Sequence, residues 1–272
     1  MNGVAVTQNT NAFNIGRKVV SDPHWVDTID LYRSGSLASK PILSSEALSL
    51  IDSISPDEEL RKILEHRTQE LIEYQNLSYA KEYMSFVGNI FEKEQKTRSS
   101  SELSQNVAKY LFKLMATKDE YEVARLSLKA ELDSAINKEF GKSAKISYML
   151  HPPFLKAMEN IPILNMLPGV KSKLALGSWF KVFYVMLKNM KFLRGTPFDF
   201  MAWFSNDVRK ADRKALNHYK SILSNNIDEI GNGKYQDLKE FSILPDIIRG
   251  YEEVRLETMD EFYLKSNNLF KS

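Results

Sequence analysis

The chain contains no cysteine. Disulfides, thiolate zinc sites and cysteine-ligated iron–sulfur clusters are therefore excluded within it. It has only four histidines, His24, His66, His151 and His218, spread so widely that no two stand at metal-ligand spacing. Each reads as a structural histidine. An excess of one charge is also lacking: 37 basic residues face 35 acidic ones, a formal net charge of +2. A balance this near zero gives no general pull toward nucleic acid or an acidic membrane surface. No run of about 18 apolar residues occurs, so no membrane span is expected. Met1–Arg17 shows no basic stretch followed by an apolar core, so no signal peptide is expected and the default location is the cytoplasm. The sequence has no phosphate loop, no dinucleotide glycine fingerprint and no Gly-x-Ser-x-Gly elbow. It also lacks the Gly-Asp-Gly with downstream asparagine of thiamine diphosphate sites.

What remains is an ordinary globular composition, 43% hydrophobic and 26% charged over 272 residues. That suits one large domain, or a domain with an attached fragment. The 11 glycines and nine prolines are few enough to act as punctuation. Residues 3–20 read as a short amphipathic helix ended at Asp22-Pro23. The serine-rich stretch Ser34–Ser45, with Gly35 and Pro41, reads as a linker. Ser53–Pro56 is a second break. Ser55 is the expected N-cap there, Pro56 the first helical residue, and Asp57, Glu58 and Glu59 suit a first turn.

One long helix is expected from there to about Lys96, with Ala80, Tyr83, Met84, Val87 and Phe91 on its inner face. Thr97–Ser101 is a polar break. A further helix runs from Glu102 to about Phe140, bent near Ala116-Thr117 and capped by Gly141. Lys145–Leu150 reads as a short strand, followed by a loop to Gly177. Ser178–Leu193 is the most apolar segment and is expected as a mostly buried helix, with Lys181 and Lys188 on its rim. A membrane-surface or partner-binding segment is the weaker alternative for it. Arg194-Gly195-Thr196-Pro197 ends it. A helix over about Asn206–Ile230 stops at Gly231-Asn232-Gly233, and short helices broken at Pro245 and Gly250 finish the chain. The fold class expected is mainly α, a multi-helix domain with a small β element near 145–150.

Four stretches carry a family resemblance. Lys113–Leu126 (KLMATKDEYEVARL) resembles a signature of the domain of unknown function that closes the long-chain indolepyruvate ferredoxin oxidoreductases, with Thr117 where that family has tyrosine. Leu150-His151-Pro152-Pro153 is similar to its Leu-Ala-Pro-Pro. Leu193–Pro197 with Asp199 resembles its Leu-Arg-Gly-Thr-x-x-Asp turn, and Leu244–Tyr251 its Leu-Pro-x-x-Ile-Arg-Gly-Tyr. Asn2–Val6, with Asn9, Ala12, Phe13, Gly16 and Arg17, resembles the end of the preceding oxidoreductase domain. A second glycine is missing after Tyr251, and Met201-Ala202 stands near the family's Phe-Gly, which marks a divergent member.

The resemblance implies that residues 1–55 are a remnant of the preceding oxidoreductase domain plus linker, and 56–272 the helical C-terminal domain. It implies a parent enzyme that decarboxylates arylpyruvates oxidatively to aryl-acetyl-CoA and reduces ferredoxin. Thiamine diphosphate, Mg and an iron–sulfur cluster would belong to that parent, with no cofactor or metal in this chain and no catalytic residue identified. Thiamine diphosphate-binding domains or subunits, and through them ferredoxin, are the implied partners; a homodimer is a further expectation, and nucleic acid is not expected. The rival reading is a free-standing helical interaction module derived from that enzyme. The residues singled out as a polar network or interface are Lys118, Asp119, Glu120, Glu122, Arg125, Arg194, Asp199 and Arg249. Lys118, Glu122 and Arg125 would form a ladder on a helix. As a solvated face, each such pair contributes about 0.2–0.5 kcal/mol. Arg194 is read mainly as a partner for a helix C-terminus, with docking to Asp199 or another segment as the alternative. Arg209 and Arg213 lie one turn apart, with Asp212 as a near partner.

Overall fold

A computed structural model describes residues 6–22, 42–141, 145–150, 174–199, 201–202, 206–250 and 252–270. Residues 34–41 of the expected linker, the motif residues 151–153, Tyr251 and Asn2–Ala5 lie outside them. The chain divides into two compact units, Met1–Ile42 and Leu43–Ser272. In the first, helix α1 spans Val6–Ser21.

The second unit is mainly α-helical, as the periodicity predicts. Helix α2 (Ser45–Asp52) starts at Ser44, whose hydroxyl accepts the Ala47 N–H. Helix α3 (Glu58–Tyr74) is capped by Asp57, which accepts from Leu60 N–H at 2.9 Å, and Glu58 and Glu59 fill its first turn. The cap is therefore two residues later than expected. Ser55 is not a cap but sits at φ 47, in left-handed backbone that lets the chain turn back before Pro56. The single helix expected to Lys96 is two. It breaks at Gln75, and Asn76 caps helix α4 (Leu77–Arg98) by accepting from Tyr79 N–H. Asparagine is among the best N-caps, and apolar spacing alone does not register it. The anticipated inner face of α4 is correct: Ala80, Tyr83, Met84, Val87 and Phe91 are all buried.

Ser99 at φ 51 ends α4, and helix α5 follows (Glu102–Met115). The stretch expected as one bent helix to Phe140 is three: α5, α6 (Glu120–Ser127) and α7 (Ala130–Phe140). Gly141 closes the last at φ 80. Strand β1 (Tyr148–Leu150) pairs antiparallel with an unanticipated β2 (Leu174–Leu176), Met149 opposite Ala175. Helix α8 (Lys181–Asn189) lies between two 3-10 turns, Ser178–Phe180 and Met190–Leu193. Helices α9 (Asn206–Asn226), α10 (Tyr235–Ile243) and α11 (Glu252–Leu269) complete the order. Gly250, before α11, has φ +82, and a Cβ there would stand 2.6 Å from Val254 Cγ1; only glycine fits.

The main core joins α2–α5 to α9–α11 through side chains such as Leu64, Tyr83, Leu111, Tyr219, Phe241 and Phe262. A separate, thin cluster holds Tyr121 and Ala124 of α6 against Phe180, Tyr184 and Leu187. The expectation that Ser178–Leu193 is mostly buried is corrected. Trp179, Val182 and Phe192 are 66%, 77% and 68% exposed. Helix α8 is short and packs chiefly on α6, which covers one stripe of its circumference.

The division into units falls before α2, earlier than the boundary at residue 55 read from the sequence. Ala47 and Ile51 are fully buried, and Ile51 belongs to the main core. Truncating Ile51 removes that packing, so Ile51→Ala is expected to cost about 2–5 kcal/mol in urea unfolding. A midpoint within error of the parent would count against α2 as part of this core.

Candidate functional site

The site is built where four chain segments meet: the end of α3, the start of α6, the 193–199 turn and α9. Arg194 leaves the Met190–Leu193 3-10 turn, where Gly195 at φ +77 turns the backbone. Its guanidinium bonds both oxygens of Asp119, at 2.6 and 3.0 Å. It also donates to the Tyr74 carbonyl at 2.6 Å and Gln75 Oε1 at 2.7 Å, and stacks 3.8 Å above the Tyr74 ring. Asp119 meanwhile caps α6, accepting from Glu122 N–H at 2.8 Å. One carboxylate thus starts a helix and fixes an arginine that ends another.

Asp199, 1% exposed, is held from four directions. Tyr121 Oη donates at 2.9 Å, and the backbone N–H groups of Gly195 and Ala202 donate at 3.1 and 3.2 Å. Arg209 of α9 donates at 2.9 Å and turns its other nitrogen to Glu120 at 2.5 Å. Burial raises the Tyr121 hydroxyl well above its ordinary range, and the bond to Asp199 adds to this, so it is a neutral donor. Burial likewise raises the Glu120 carboxyl, reinforced by nearby Asp119 and opposed by Arg209.

A second network lies on α6. Arg125, 5% exposed, pairs with Glu122 at 2.7 Å, Glu70 at 2.5 Å and Glu73 at 2.6 Å. Lys129 adds a bond to Glu70, and Lys191 donates to the Glu73 carbonyl. A third polar group is remote from both. Glu94, fully buried, accepts from Leu103 and Ser104 N–H, from Ser104 Oγ and from Tyr235 Oη. It is the N-terminal anchor of α5.

Beside Arg194 the segments leave a cavity of about 500 Å³. Leu114, Met115, Val208 and Leu216 give it apolar walls, and Tyr74 and Tyr79 stack at 6.1 Å along one side. Tyr79 donates to the Met115 carbonyl, and burial pushes its hydroxyl up to about 12.

Of the eight residues singled out in sequence, Asp119, Glu120, Arg194 and Asp199 meet at this site, and Lys118 lines the cavity. Lys118 precedes the Asp119 cap, so it is not one helical turn from Glu122 as the ladder required. Glu122 and Arg125 do pair, but in the neighbouring network and nearly buried, which overturns the reading as a solvated face. Arg249 stands apart, exposed, and pairs with Asp246 at 2.6 Å. Asp212 is taken by Arg255 of α11. Arg194 does meet a helix C-terminus, but that of α3, 120 residues earlier. Sequence reading missed Tyr74, Gln75, Glu70 and Glu73, because it ran a helix straight through Gln75. The asparagine at 76 was the available signal.

All of these networks fall within the span of a known sequence family. Residues 60–267 match the model of a family of unknown function, DUF6537. The chain belongs to this family. No curated protein and no solved structure matches it. Four of the resembling stretches, Lys113–Leu126, Leu150–Pro153, Leu193–Asp199 and Leu244–Tyr251, lie inside the family's span, and the first and third face each other across the Asp119–Arg194 pair.

Removing Arg194 would leave the Asp119 carboxylate, 8% exposed, without its bidentate partner. Breaking a buried pair from one side costs about 3–5 kcal/mol. Arg194→Ala is expected to lose stability on that scale in urea unfolding. Arg194→Lys should recover little, because an ammonium cannot reproduce the fork. Arg249→Ala, at an exposed pair, should stay within about 0.5 kcal/mol. Equal midpoints for the two alanine variants would remove the structural role assigned to Arg194.

Proposed function

We propose that this chain is a non-catalytic interface module of a ferredoxin-dependent 2-oxoacid oxidoreductase of the indolepyruvate type. The parent reaction is oxidative decarboxylation of an arylpyruvate to aryl-acetyl-CoA, with electrons passing to ferredoxin. The carrying observation is how the most specific resembling residues are used. Asp119 pairs with Arg194 and Asp199 with Arg209 and Tyr121, and all three also bond backbone groups, which holds helix ends in place. Groups locked in this way position a surface; they are not poised to exchange protons with a substrate. Support also comes from the order of the resembling stretches along the chain.

In this reading thiamine diphosphate, Mg and the iron–sulfur cluster belong to partner domains or subunits. This chain, which has no cysteine, contributes contact surface. The rival, a free-standing interaction module, shares the surface and drops the enzyme.

Co-expression with a polypeptide carrying the thiamine diphosphate-binding oxidoreductase domains tests the reading. The two are expected to elute together, and the complex to decarboxylate indolepyruvate with CoA and a viologen acceptor. The chain alone is expected to bind neither thiamine diphosphate–Mg in calorimetry nor iron in elemental analysis. Separate elution, with oxidoreductase activity indifferent to this chain, defeats the proposal and favours the free-standing module. Stoichiometric iron on the isolated chain would defeat the division of labour.

A further inference from the structure

The cavity beside Arg194 carries a charge pattern that the ion pairs do not account for. Five acidic side chains line it, and each has a basic partner. Asp119 pairs with Arg194, Glu120 and Asp199 with Arg209, Asp212 with Arg255, and Glu82 with Lys220. Among the lining cations, Arg213 has no hydrogen bond or ion pair with any described residue. It sits one turn after Arg209 and one turn before Leu216 on α9, on the stripe that faces the cavity. Asn76 is a further lining residue: its side-chain oxygen accepts from Tyr79 N–H, and its NH₂ group is a second, neutral donor. The hollow therefore has satisfied acids, spare donors and apolar walls. Its volume, about 500 Å³, falls within the roughly 300–1,000 Å³ of small-ligand sites.

We propose that this cavity binds a small organic monoanion, an acid group on a flat apolar body. Arg213 meets the acid group, and Tyr79, Leu114, Val208 and Leu216 take the body. A cationic ligand would meet the one unpaired charge with repulsion. A phosphate dianion would call for more than one free cation. A neutral apolar ligand would leave Arg213 idle. The proposal does not depend on the parent enzyme.

The test uses the full chain and anilinonaphthalene sulfonate as probe, followed by fluorescence titration. One saturable site is expected. Loss of a charge-assisted hydrogen bond corresponds to about tenfold or more in affinity. Arg213→Gln, at an exposed residue with no partner among the described residues, should therefore weaken the probe at least tenfold without moving the urea midpoint. Phenylnaphthylamine, which has the rings without the acid, should bind both proteins alike. Naphthaleneacetate should displace the probe and naphthylethanol should not. Val208→Trp, which fills the cavity, should abolish binding, whereas Trp179→Ser, on the exposed stripe of α8, should leave it unchanged. An affinity indifferent to Arg213→Gln, loss on Trp179→Ser, or no binding at millimolar probe would each overturn the proposal.

Discussion

The Arg194–Asp119 pair sits at two helix ends of opposite polarity. Arg194 approaches the C-terminus of α3 through the Tyr74 carbonyl, where the helix dipole is negative. Asp119 occupies the N-terminus of α6, where it is positive. Each charge is therefore favoured twice, by its ion partner and by a dipole. The guanidinium bonds a carboxylate in a fork, a carbonyl and an amide oxygen while lying flat on a tyrosine ring. Only arginine combines a planar fork with a face that stacks. Arg194 is the side chain that bonds the end of α3 and the start of α6 from the 193–199 turn. The cavity is bounded by the same residues.

Charge takes this role because the apolar contact there is thin. The cluster joining α6 to the Ser178–Asn189 segment has five buried side chains, far fewer than the main core. What fastens it to α3 is a set of ion pairs around Arg125 and Lys129, with Lys191 donating to the Glu73 carbonyl. Buried pairs contribute little net stability once desolvation is counted, yet they penalise any arrangement that separates them. The α6–α8 layer is thus specified more than it is stabilised. Glu94 does the same at the other end of α4, where one carboxylate satisfies the first N–H groups of α5.

Much of the fold was legible because it follows apolar spacing. The inner face of α4, the mainly helical class, the strand at Tyr148–Leu150 and the stops at Gly141, Gly195 and Gly233 all rest on local rules that tertiary contacts reinforce. The breaks were less legible. Asn76 and Asp119 each divide a run that keeps its helical periodicity on both sides, because a side-chain cap competes with continuation only through one or two hydrogen bonds. Four of the site residues came from the resemblance and do converge. Tyr74, which accepts from Arg194, and Glu70 and Glu73, which pair with Arg125 in the neighbouring network, come from a helix roughly 50–120 positions away in sequence, and no local pattern encodes such a distance. The exposed stripe of α8 was misread for a related reason: an apolar helix is buried only as far as its neighbours extend.

The same ion pairs explain why a hollow persists next to a close-packed core. Apolar walls alone tend to collapse until voids are small. Here the walls include two bonded sets, Arg194 with Asp119 and Arg209 with Asp199 and Glu120, whose positions are fixed by bonds of 2.5–2.9 Å and by backbone groups. Moving any of them inward to fill the space would break a bond inside a weakly solvated region, where an unpaired charge is most costly. The polar frame therefore holds the apolar side chains Leu114, Met115, Val208 and Leu216 apart. The fixed polar frame and the space beside it are consequences of one arrangement.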